Sequence, residues 1–226
     1  MESLIRTGPV DHAAWNYRPI LGRIQRWRFH MILRLLPGQP VERLLEVGYG
    51  SGIFLPELSR HCRRLYGLDI HDAAPIVEQC LARLGIDARL ICGSAESIPY
   101  PDRFFDLVVA VSSLEFIEHP EQAAREIRRV LKPDGRLIAV TPAHSRVADL
   151  GLRLLTGKNA RREYETRRER LLTAFAADFE VERLITVPRW AWSGLAIYRG
   201  LRWRPRLDLK NVSPTANLNT AGQVDR

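Results

Sequence analysis

The chain has 226 residues, of which 46% are hydrophobic and 27% charged, and this composition is typical of a globular protein with one well-buried domain. No run approaches the roughly 18 apolar residues of a membrane span, and the N-terminus lacks an apolar core followed by a small-residue cleavage site, so we expect a cytoplasmic protein. The three cysteines form no CxxC pair, which argues against a disulfide framework or a zinc site.

The formal net charge of +8 is concentrated outside the middle of the chain. Residues 41–141 carry 12 basic and 15 acidic side chains, whereas the two flanks together carry 22 basic and 11 acidic ones. All five tryptophans also lie in the flanks. The flanks are therefore the place to look for contacts with an anionic partner.

The first predicted element is a basic amphipathic helix within residues 1–40, interpreted as a cover over the domain that follows. Its apolar side chains recur at spacings of three and four residues and form one stripe: Ile20, Ile24, Trp27, Met31 and Leu35. Its other faces carry basic side chains: Arg18, Arg23, Arg26, His30 and Arg34. The stripe is expected to pack on the domain, which leaves the arginines solvated.

The middle of the chain alternates strand-like and helix-like segments at the pace of βαβ units. The predicted strands are 43–48, 64–69, 88–93, 105–111 and 136–141. The predicted helices lie near 53–62, 73–84 and 120–132. This alternation predicts a doubly wound, mostly parallel α/β sheet, with its ligand site beyond the carboxyl ends of the strands where the strand order reverses.

A turn with three glycines follows the first predicted strand in the sequence LLEVGYGSG, residues 44–52. A strand, a glycine turn and a helix in this order bring backbone N–H groups close to a ligand. The dinucleotide fingerprint GxGxxG would need a glycine where Ile53 stands, and no Lys-Ser or Lys-Thr pair follows to make a phosphate-binding P-loop. The register is instead ExGxGxG.

Three further segments follow this turn in a characteristic order: YGLDIH from Tyr66, GSAESIPYPDRFFDLVVAVSSLEF from Gly93 and RRVLKPDGRLIAVTP from Arg128. Over about residues 41–142 the chain resembles the class I S-adenosylmethionine-dependent methyltransferases, specifically the type 11 group with its ubiquinone/menaquinone-biosynthesis-like enzymes. The resemblance implies a Rossmann-like, seven-stranded fold over residues 41–206, in which residues 142–206 build the acceptor side. Residues 207–226 have the composition of a disordered tail.

The resemblance also implies a binding site for S-adenosylmethionine. Its residues would be Glu46, Gly48, Tyr49, Gly50, Gly52, Asp69, Ile70, Ser94, Ala95, Glu96, Ser112 and Tyr17. The glycines would let the backbone approach the amino-acid end of the cofactor, and Glu46 would face its ammonium. Asp69 would accept both ribose hydroxyls, Ile70 would pack on the adenine, and the segment from Ser94 would read the adenine edge. Ser112 would line the methionine side.

Two positions depart from the family pattern. Ser94 stands where the family usually has Asp, and Phe116 stands where it usually has His. The candidates for a general base, judged by position alone, are His119, Glu115 and Glu118, and for His119 a solvent-facing place at a helix start is the stronger alternative. No metal site is predicted.

The segment 183–206 contains six arginines, three tryptophans and no acidic residue. Its first part is expected to form strand six after an Arg-rich helix at about 160–177, and residues 195–200 fit either a seventh strand or an amphipathic helix. Interleaved Trp and Arg suit peripheral contact with an anionic membrane, and they would also suit RNA phosphates.

The predicted reaction moves a methyl group to an O, N or C nucleophile on a small acceptor, with lipophilic or membrane-derived molecules as first candidates. An NPPY-type tetrapeptide, typical of base methylation, is absent after strand four, and no RNA-recognition module is present. The alternatives are an RNA methyltransferase and a non-catalytic relative that binds the cofactor or a membrane surface.

Overall fold

The computed structural model describes residues 19–143, 161–188 and 196–206. Its strands are β1 Val41–Val47, β2 Cys62–Asp69, β3 Ala88–Cys92, β4 Phe105–Val111, β5 Leu131–Pro142, β6 Phe179–Val187 and β7 Tyr198–Pro205. Its helices are α1 Pro19–Leu35, α2 Leu55–Leu58, α3 Ala74–Arg83, α4 Pro120–Val130 and α5 Arg161–Asp178. Among the helices in these ranges, none is both long and apolar enough to cross a membrane.

The strands form one seven-stranded sheet in the order β3-β2-β1-β4-β5-β7-β6. β7 runs antiparallel to both of its neighbours, and the other pairings are parallel. The prediction of a doubly wound, mostly parallel α/β sheet is confirmed. The strand order reverses between β1 and β4, so a ligand site is expected beyond the carboxyl ends of these two strands.

The core consists of two apolar layers, one on each side of the sheet. Leu45 and Val47 of β1 point into the layer that includes α4 and α5, whereas Leu44 points into the layer that includes α1 and α3. Because side chains alternate along a strand, Glu46 shares the face of Leu44 and is directed toward the α1 side. The carboxylate of Glu46 is thus fully buried at a strand position where the alternation predicts an apolar side chain.

Helix α1 packs directly on the last strands of the sheet at Gly200, which has no side chain to separate them. A Cβ built on Gly200 would lie 2.8 Å from Leu35 Cδ1 and 3.2 Å from Met31 Cε. Two arginines of β6 and β7 donate to the last carbonyls of the helix: Arg183 Nη1 to Arg34 O at 2.8 Å and Arg202 Nη1 to Leu35 O at 3.3 Å. The predicted packing of Met31 and Leu35 is confirmed, and the side chains of Ile20 and Ile24 lie outside the described residues.

Several predicted elements differ from the observed ones in extent, and β5 begins five residues earlier than predicted. The helix expected at 53–62 is only the four-residue α2 followed by the single 3-10 turn Ser59–His61, because β2 begins to pair with β1 already at Cys62. The helix expected at 120–132 ends at Val130, since β5 begins at the next residue. For residues 195–200, where the sequence fitted either a seventh strand or an amphipathic helix, the structure has the strand β7 from Tyr198 onward.

Candidate functional site

The glycine turn after β1 is built from residues in the left-handed conformation. Gly48, Gly50 and Gly52 have φ angles of 75°, 53° and 74°, a region that side chains with a Cβ avoid. Gly48 N–H donates to Leu68 O at 2.7 Å, and Gly52 N–H donates to Tyr49 O at 2.8 Å. The turn is therefore tight and attached to the neighbouring β2.

The three glycines differ in what surrounds them. A Cβ on Gly48 would lie 2.2 Å from Ser113 Cβ, and one on Gly52 would lie 2.6 Å from Val77 Cγ1. Around the position of a Cβ on Gly50, by contrast, no described atom lies within 4 Å. Gly48 and Gly52 thus lack side chains for internal packing, whereas Gly50 faces open space that a ligand can approach.

Asp69, at the carboxyl end of β2, is held in place by backbone hydrogen bonds. Its Oδ2 accepts from Gly50 N–H at 2.8 Å, and its Oδ1 accepts from Ile70 N–H at 2.7 Å. Each carboxylate oxygen can accept a further hydrogen bond. The carboxylate is therefore oriented at the rim of the turn, where ribose hydroxyls could reach its remaining lone pairs.

His71 joins this arrangement although the sequence analysis did not assign it to the site. Its Nδ1 accepts from Ala73 N–H at 3.1 Å, so the neutral ring carries its hydrogen on Nε2, which lies 3.0 Å from Gly50 O and donates to it. Its Nε2 is also 3.6 Å from Asp69 Oδ2. Asp69 therefore binds the N–H of Gly50 and His71 binds its carbonyl oxygen, so both polar backbone groups of Gly50 are held by residues at the end of β2. In the sequence, the only signal for the role of His71 was its position two residues after Asp69, the predicted ribose carboxylate.

Glu46 is the most unusual side chain of the site. It is 0% exposed, and neither of its carboxylate oxygens has a hydrogen-bonding partner among the described residues. Burial raises the pKa of Glu46 well above its usual range; the negative charge of Asp69 acts in the same direction, and the positive charge of Arg28 opposes both. A buried, unsatisfied carboxylate at the end of a central strand is the feature expected where a cationic ligand group binds.

Tyr49 lies inside the turn as a packing residue. Its side chain is 2% exposed, meets His71 edge-on with ring centroids 4.9 Å apart, and covers Gly67, where a Cβ would lie 2.8 Å from Tyr49 Cδ1. Burial raises the pKa of its phenol, and the charge of Asp69 adds to this shift. Tyr49 therefore stabilises the turn by packing against the His71 ring and Gly67.

The residues predicted at the adenine end lie on the rim of the sheet. Ile70 is 80% exposed and available to cover a flat ligand, whereas Ala95 is buried. Ser94 Oγ accepts from Glu96 N–H at 3.1 Å, and Glu96 Oε1 accepts from His119 N–H at 3.0 Å. The Glu96 carboxylate thus binds the start of α4, which leaves Ser94 and the backbone as the polar groups nearest the predicted adenine edge.

At the carboxyl ends of β4 and β5, two hydroxyls are buried. Ser112 has a left-handed φ of 52°, and its N–H donates to Val140 O at 2.7 Å, which places it beside Thr141. Neither Ser112 Oγ nor Thr141 Oγ1 has a partner within the described ranges. A strained residue and two unsatisfied hydroxyls at this edge indicate a place for polar ligand groups. Thr141 was not predicted.

The three candidates for a general base are in different environments. Glu115 is 3% exposed, inside the 3-10 turn Leu114–Phe116, whereas Glu118 and His119 are exposed. The structure thus brings Glu115 toward the interior and leaves the other two at the surface. Tyr17, the remaining predicted site residue, lies outside the described residues. Among the residues that the structure describes, no group of three potential metal ligands is present.

Residues 45–139 match the family model described as "Methyltransferase domain". The ubiquinone/menaquinone biosynthesis C-methyltransferase UbiE of Stutzerimonas stutzeri (strain A1501) is 27% identical over 129 residues, which are 53% of this chain and 49% of that protein. The sterol 4-C-methyltransferase strm-1 of Caenorhabditis elegans is 31% identical over 97 residues, 42% of this chain and 29% of that protein. The chain therefore spans less than half the length of these curated relatives.

A solved geranyl diphosphate methyltransferase in complex with SAM has the same fold, with a TM-score of 0.62 and 17% identity over 87% of this chain and 92% of that one. The glycine turn, the carboxylate of Asp69 and the unsatisfied carboxylate of Glu46 have the donors and acceptors that the polar groups of S-adenosylmethionine require. Residues 45–139 are therefore a methyltransferase domain of the type 11 group of class I S-adenosylmethionine-dependent methyltransferases, a group whose cofactor is S-adenosylmethionine.

Proposed function

We propose that the protein transfers a methyl group from S-adenosylmethionine to a small, lipophilic acceptor. The observation that carries the proposal is the buried carboxylate of Glu46, which lacks a hydrogen-bonding partner among the described residues and lies at the end of β1, two residues before the glycine turn begins. A cationic group of a ligand would satisfy it. Glu46 then binds the ammonium of the cofactor, and Asp69 accepts hydrogen bonds from the ribose hydroxyls.

When bound, the cofactor supplies a methyl group on a positively charged sulfur, and the bond from methyl to sulfur breaks as the bond to the acceptor forms. The protein contributes mainly by holding the two partners in line, an effect worth up to about 7–11 kcal/mol. Ser112 and Thr141 orient the acceptor through their buried hydroxyls. Glu115 is the base candidate for an acceptor that arrives protonated, because it is the interior one of the three.

Support for a lipophilic acceptor comes from the relatives, whose names specify quinone, sterol and geranyl diphosphate substrates. Contact with an anionic membrane is a separate prediction, based on the Trp- and Arg-rich flanks. Within the described part of segment 183–206, Trp203 is 2% exposed and stacks on Phe175, and Arg204 pairs with Glu180 at 2.7 Å. These residues therefore serve the fold, and the membrane prediction depends on Trp27, which is half-buried in α1, and on Trp15, Trp190 and Trp192, which lie outside the described residues.

The cofactor part of the proposal is tested by calorimetric titration with S-adenosylmethionine. Wild-type protein is expected to bind with micromolar affinity, and Asp69→Asn is expected to weaken binding about 10- to 100-fold, because it removes the charge that strengthens the ribose hydrogen bonds. Asp72→Asn, at an exposed position three residues later, is the matched control. A natively folded wild type that binds no cofactor would contradict the proposal.

The acceptor part requires transfer of a labelled methyl group. Cofactor with a tritiated methyl group is incubated with panels of quinols, sterols and prenyl diphosphates, and with RNA. Label that moves into the lipid extract supports the proposal. Label in RNA would favour the nucleic-acid alternative, and cofactor binding without transfer to any panel would favour a non-catalytic role.

A further inference from the structure

His71 lies in the loop after β2, and its ring contacts the glycine turn after β1. Its Nε2 donates to Gly50 O at 3.0 Å, and its Nδ1 accepts from Ala73 N–H at 3.1 Å. The ring of Tyr49 meets it edge-on, with centroids 4.9 Å apart, and only 13% of the His71 side chain is exposed. These two hydrogen bonds and this packing hold the imidazole in one tautomer and one orientation.

The hydrogen bond from His71 orients one peptide unit of the turn, the unit between Gly50 and Ser51. Because this unit is planar and trans, the N–H of Ser51 points away from the side on which His71 binds the carbonyl oxygen. Within the described ranges, the N–H of Ser51 donates to no backbone acceptor. His71 therefore also sets the direction of a donor that the backbone of the turn leaves open.

The backbone at Gly50 sets the orientation of this peptide unit only loosely, because glycine has a wider range of accessible backbone angles than any other residue. Around the position of a Cβ on Gly50, no described atom lies within 4 Å, so packing does not oppose a rotation there. The hydrogen bond from Gly50 N–H to Asp69 Oδ2 fixes the preceding peptide unit and not this one. Among the described contacts, the bond from His71 is thus the one that holds the carbonyl of Gly50.

We propose that His71 is a positioning residue of the cofactor site, which holds the peptide unit between Gly50 and Ser51 in the orientation that S-adenosylmethionine requires. The inference rests on the proposed function, because it takes this cofactor as the ligand of the turn. In this role His71 does not contact the ligand. It restricts the free protein to the binding-competent form of the turn, and the apparent affinity falls in proportion when that form is only partly populated.

Two amide substitutions separate the roles of the two ring nitrogens. In His71→Gln the terminal amide nitrogen lies about as far along the side chain as Nε2, so it can still donate to Gly50 O. In His71→Asn the shorter amide reaches only as far as Nδ1, so its oxygen can accept from Ala73 N–H while no donor reaches Gly50 O. The two variants carry the same functional group and differ in which hydrogen bond they keep.

The test is calorimetric titration of both variants with S-adenosylmethionine. His71→Asn is expected to weaken binding about tenfold, and His71→Gln is expected to stay within about threefold of wild type. Stopped-flow fluorescence should assign the loss in His71→Asn to slower association, because fewer molecules hold the competent turn, with dissociation within about twofold of wild type. His61→Asn, a histidine before β2 whose ring lies 3.5 Å from the Glu57 carboxylate, is the matched control and should bind as wild type does.

The other outcomes are distinguishable. Equal weakening by His71→Asn and His71→Gln, each with a native circular dichroism spectrum, would overturn the proposal, because the hydrogen bond to Gly50 O would then not be what matters. Unchanged affinity in His71→Asn would overturn it as well, and so would a loss that lies in faster dissociation, since His71 would then contact the ligand itself. If wild-type protein bound no S-adenosylmethionine, the failure would lie with the proposed function.

Discussion

At the scale of single residues, Glu46 links stability to ligand binding. Its pKa is raised in the folded protein, mainly by burial, so the folded chain holds this proton to a higher pH than the unfolded chain does. The contribution of Glu46 to stability is therefore complete below its unfolded pKa and is lost as the pH rises toward the folded value. Without a ligand, ionised Glu46 destabilises the fold.

We expect Glu46→Gln to stabilise the ligand-free protein at neutral and alkaline pH while weakening cofactor binding about tenfold, because the amide cannot ionise. Each kcal/mol gained should raise Tm by about 2–4 °C for a chain of this size. Thermal unfolding between about pH 5 and 9 measures the effect, and the curves of variant and wild type should diverge as the pH rises.

The control for this variant is Glu42→Gln, which lies at the other end of β1 in contact with Arg63 and Arg64. Its pH dependence should follow that of wild type. Parallel curves for Glu46→Gln and wild type would show that the carboxyl group titrates alike in the folded and unfolded chains and would contradict the interpretation.

The glycines of the turn provide a second prediction at this scale. Gly50→Ala is expected to cost about 1–2 kcal/mol for the left-handed backbone and to reduce cofactor affinity at least tenfold, because the new methyl group enters the open space. Gly48→Ala should destabilise the protein by a further ~1–3 kcal/mol, since its Cβ overlaps Ser113. Urea unfolding and calorimetry separate the two losses. Equal destabilisation by both substitutions would contradict the assignment.

At the scale of elements, Arg129 joins α4 to the loop that precedes β4. Its guanidinium contacts Glu126 and Asp102, both at 2.8 Å, and donates to the carbonyl oxygens of Tyr100 and Ile98. The same loop begins at the predicted adenine edge. The position of this loop therefore depends on Arg129, whose N–H groups all donate hydrogen bonds to it or to Glu126.

Arg129→Gln is expected to lower the free energy of unfolding by about 1–3 kcal/mol, because the carbonyls and carboxylates around it lose charged donors while the partly exposed side chain is replaced by a shorter one. Urea denaturation measures this loss. Arg125→Gln, at an exposed position on the same helix, is the control and should change stability by less than about 0.5 kcal/mol. A similarly small effect at Arg129 would contradict the role given to it.

The elements that sequence reasoning located best are the central ones. β4 was predicted with its observed limits because Phe105–Val111 is buried along nearly its whole length and reads as one apolar run. β7 remained ambiguous because residues 195–198 form a short apolar run, which periodicity alone cannot assign to a strand or a helix, and the alternation of Leu201 and Trp203 around Arg202 begins only after it. Such a pattern is resolved only by the neighbouring strands.

The residues of the candidate site also divide into those that the sequence predicts and those that only the fold brings together. Asp69 and the three glycines could be predicted from the sequence, because each lies at the end of a predicted strand or directly after one. The contact of Arg28 with the Phe54 ring could not be predicted, because helical spacing separates apolar from polar faces but does not show which arginine meets a residue so much later in the chain. The burial of Thr141 likewise depends on β7, which comes from a distant part of the chain.

At the scale of the whole molecule, the positive charge of the flanks is partly used within the fold. Arg202 pairs with Glu182 at 3.3 Å and Arg206 with Glu180 at 3.6 Å, so acidic residues of β6 neutralise basic ones of β7 and the segment that follows it. Counting acids within segment 183–206 alone overlooked these partners, which precede it. The flanks thus complete a domain whose central segment, residues 45–139, contains the glycine turn and Asp69, the predicted ribose carboxylate.

The bare backbone at Gly200 has a consequence for how this protein can change in evolution. Any side chain there would press on Leu35, Met31 and Ile185 and would disturb the packing of α1, whose Phe29 contacts Phe54 just after the glycine turn. In the proposed site, the retention of S-adenosylmethionine would then fall although every residue in contact with the ligand was unchanged. Position 200, which is not among the predicted cofactor-binding residues, is therefore a place where natural variation can tune cofactor affinity independently of the acceptor chemistry.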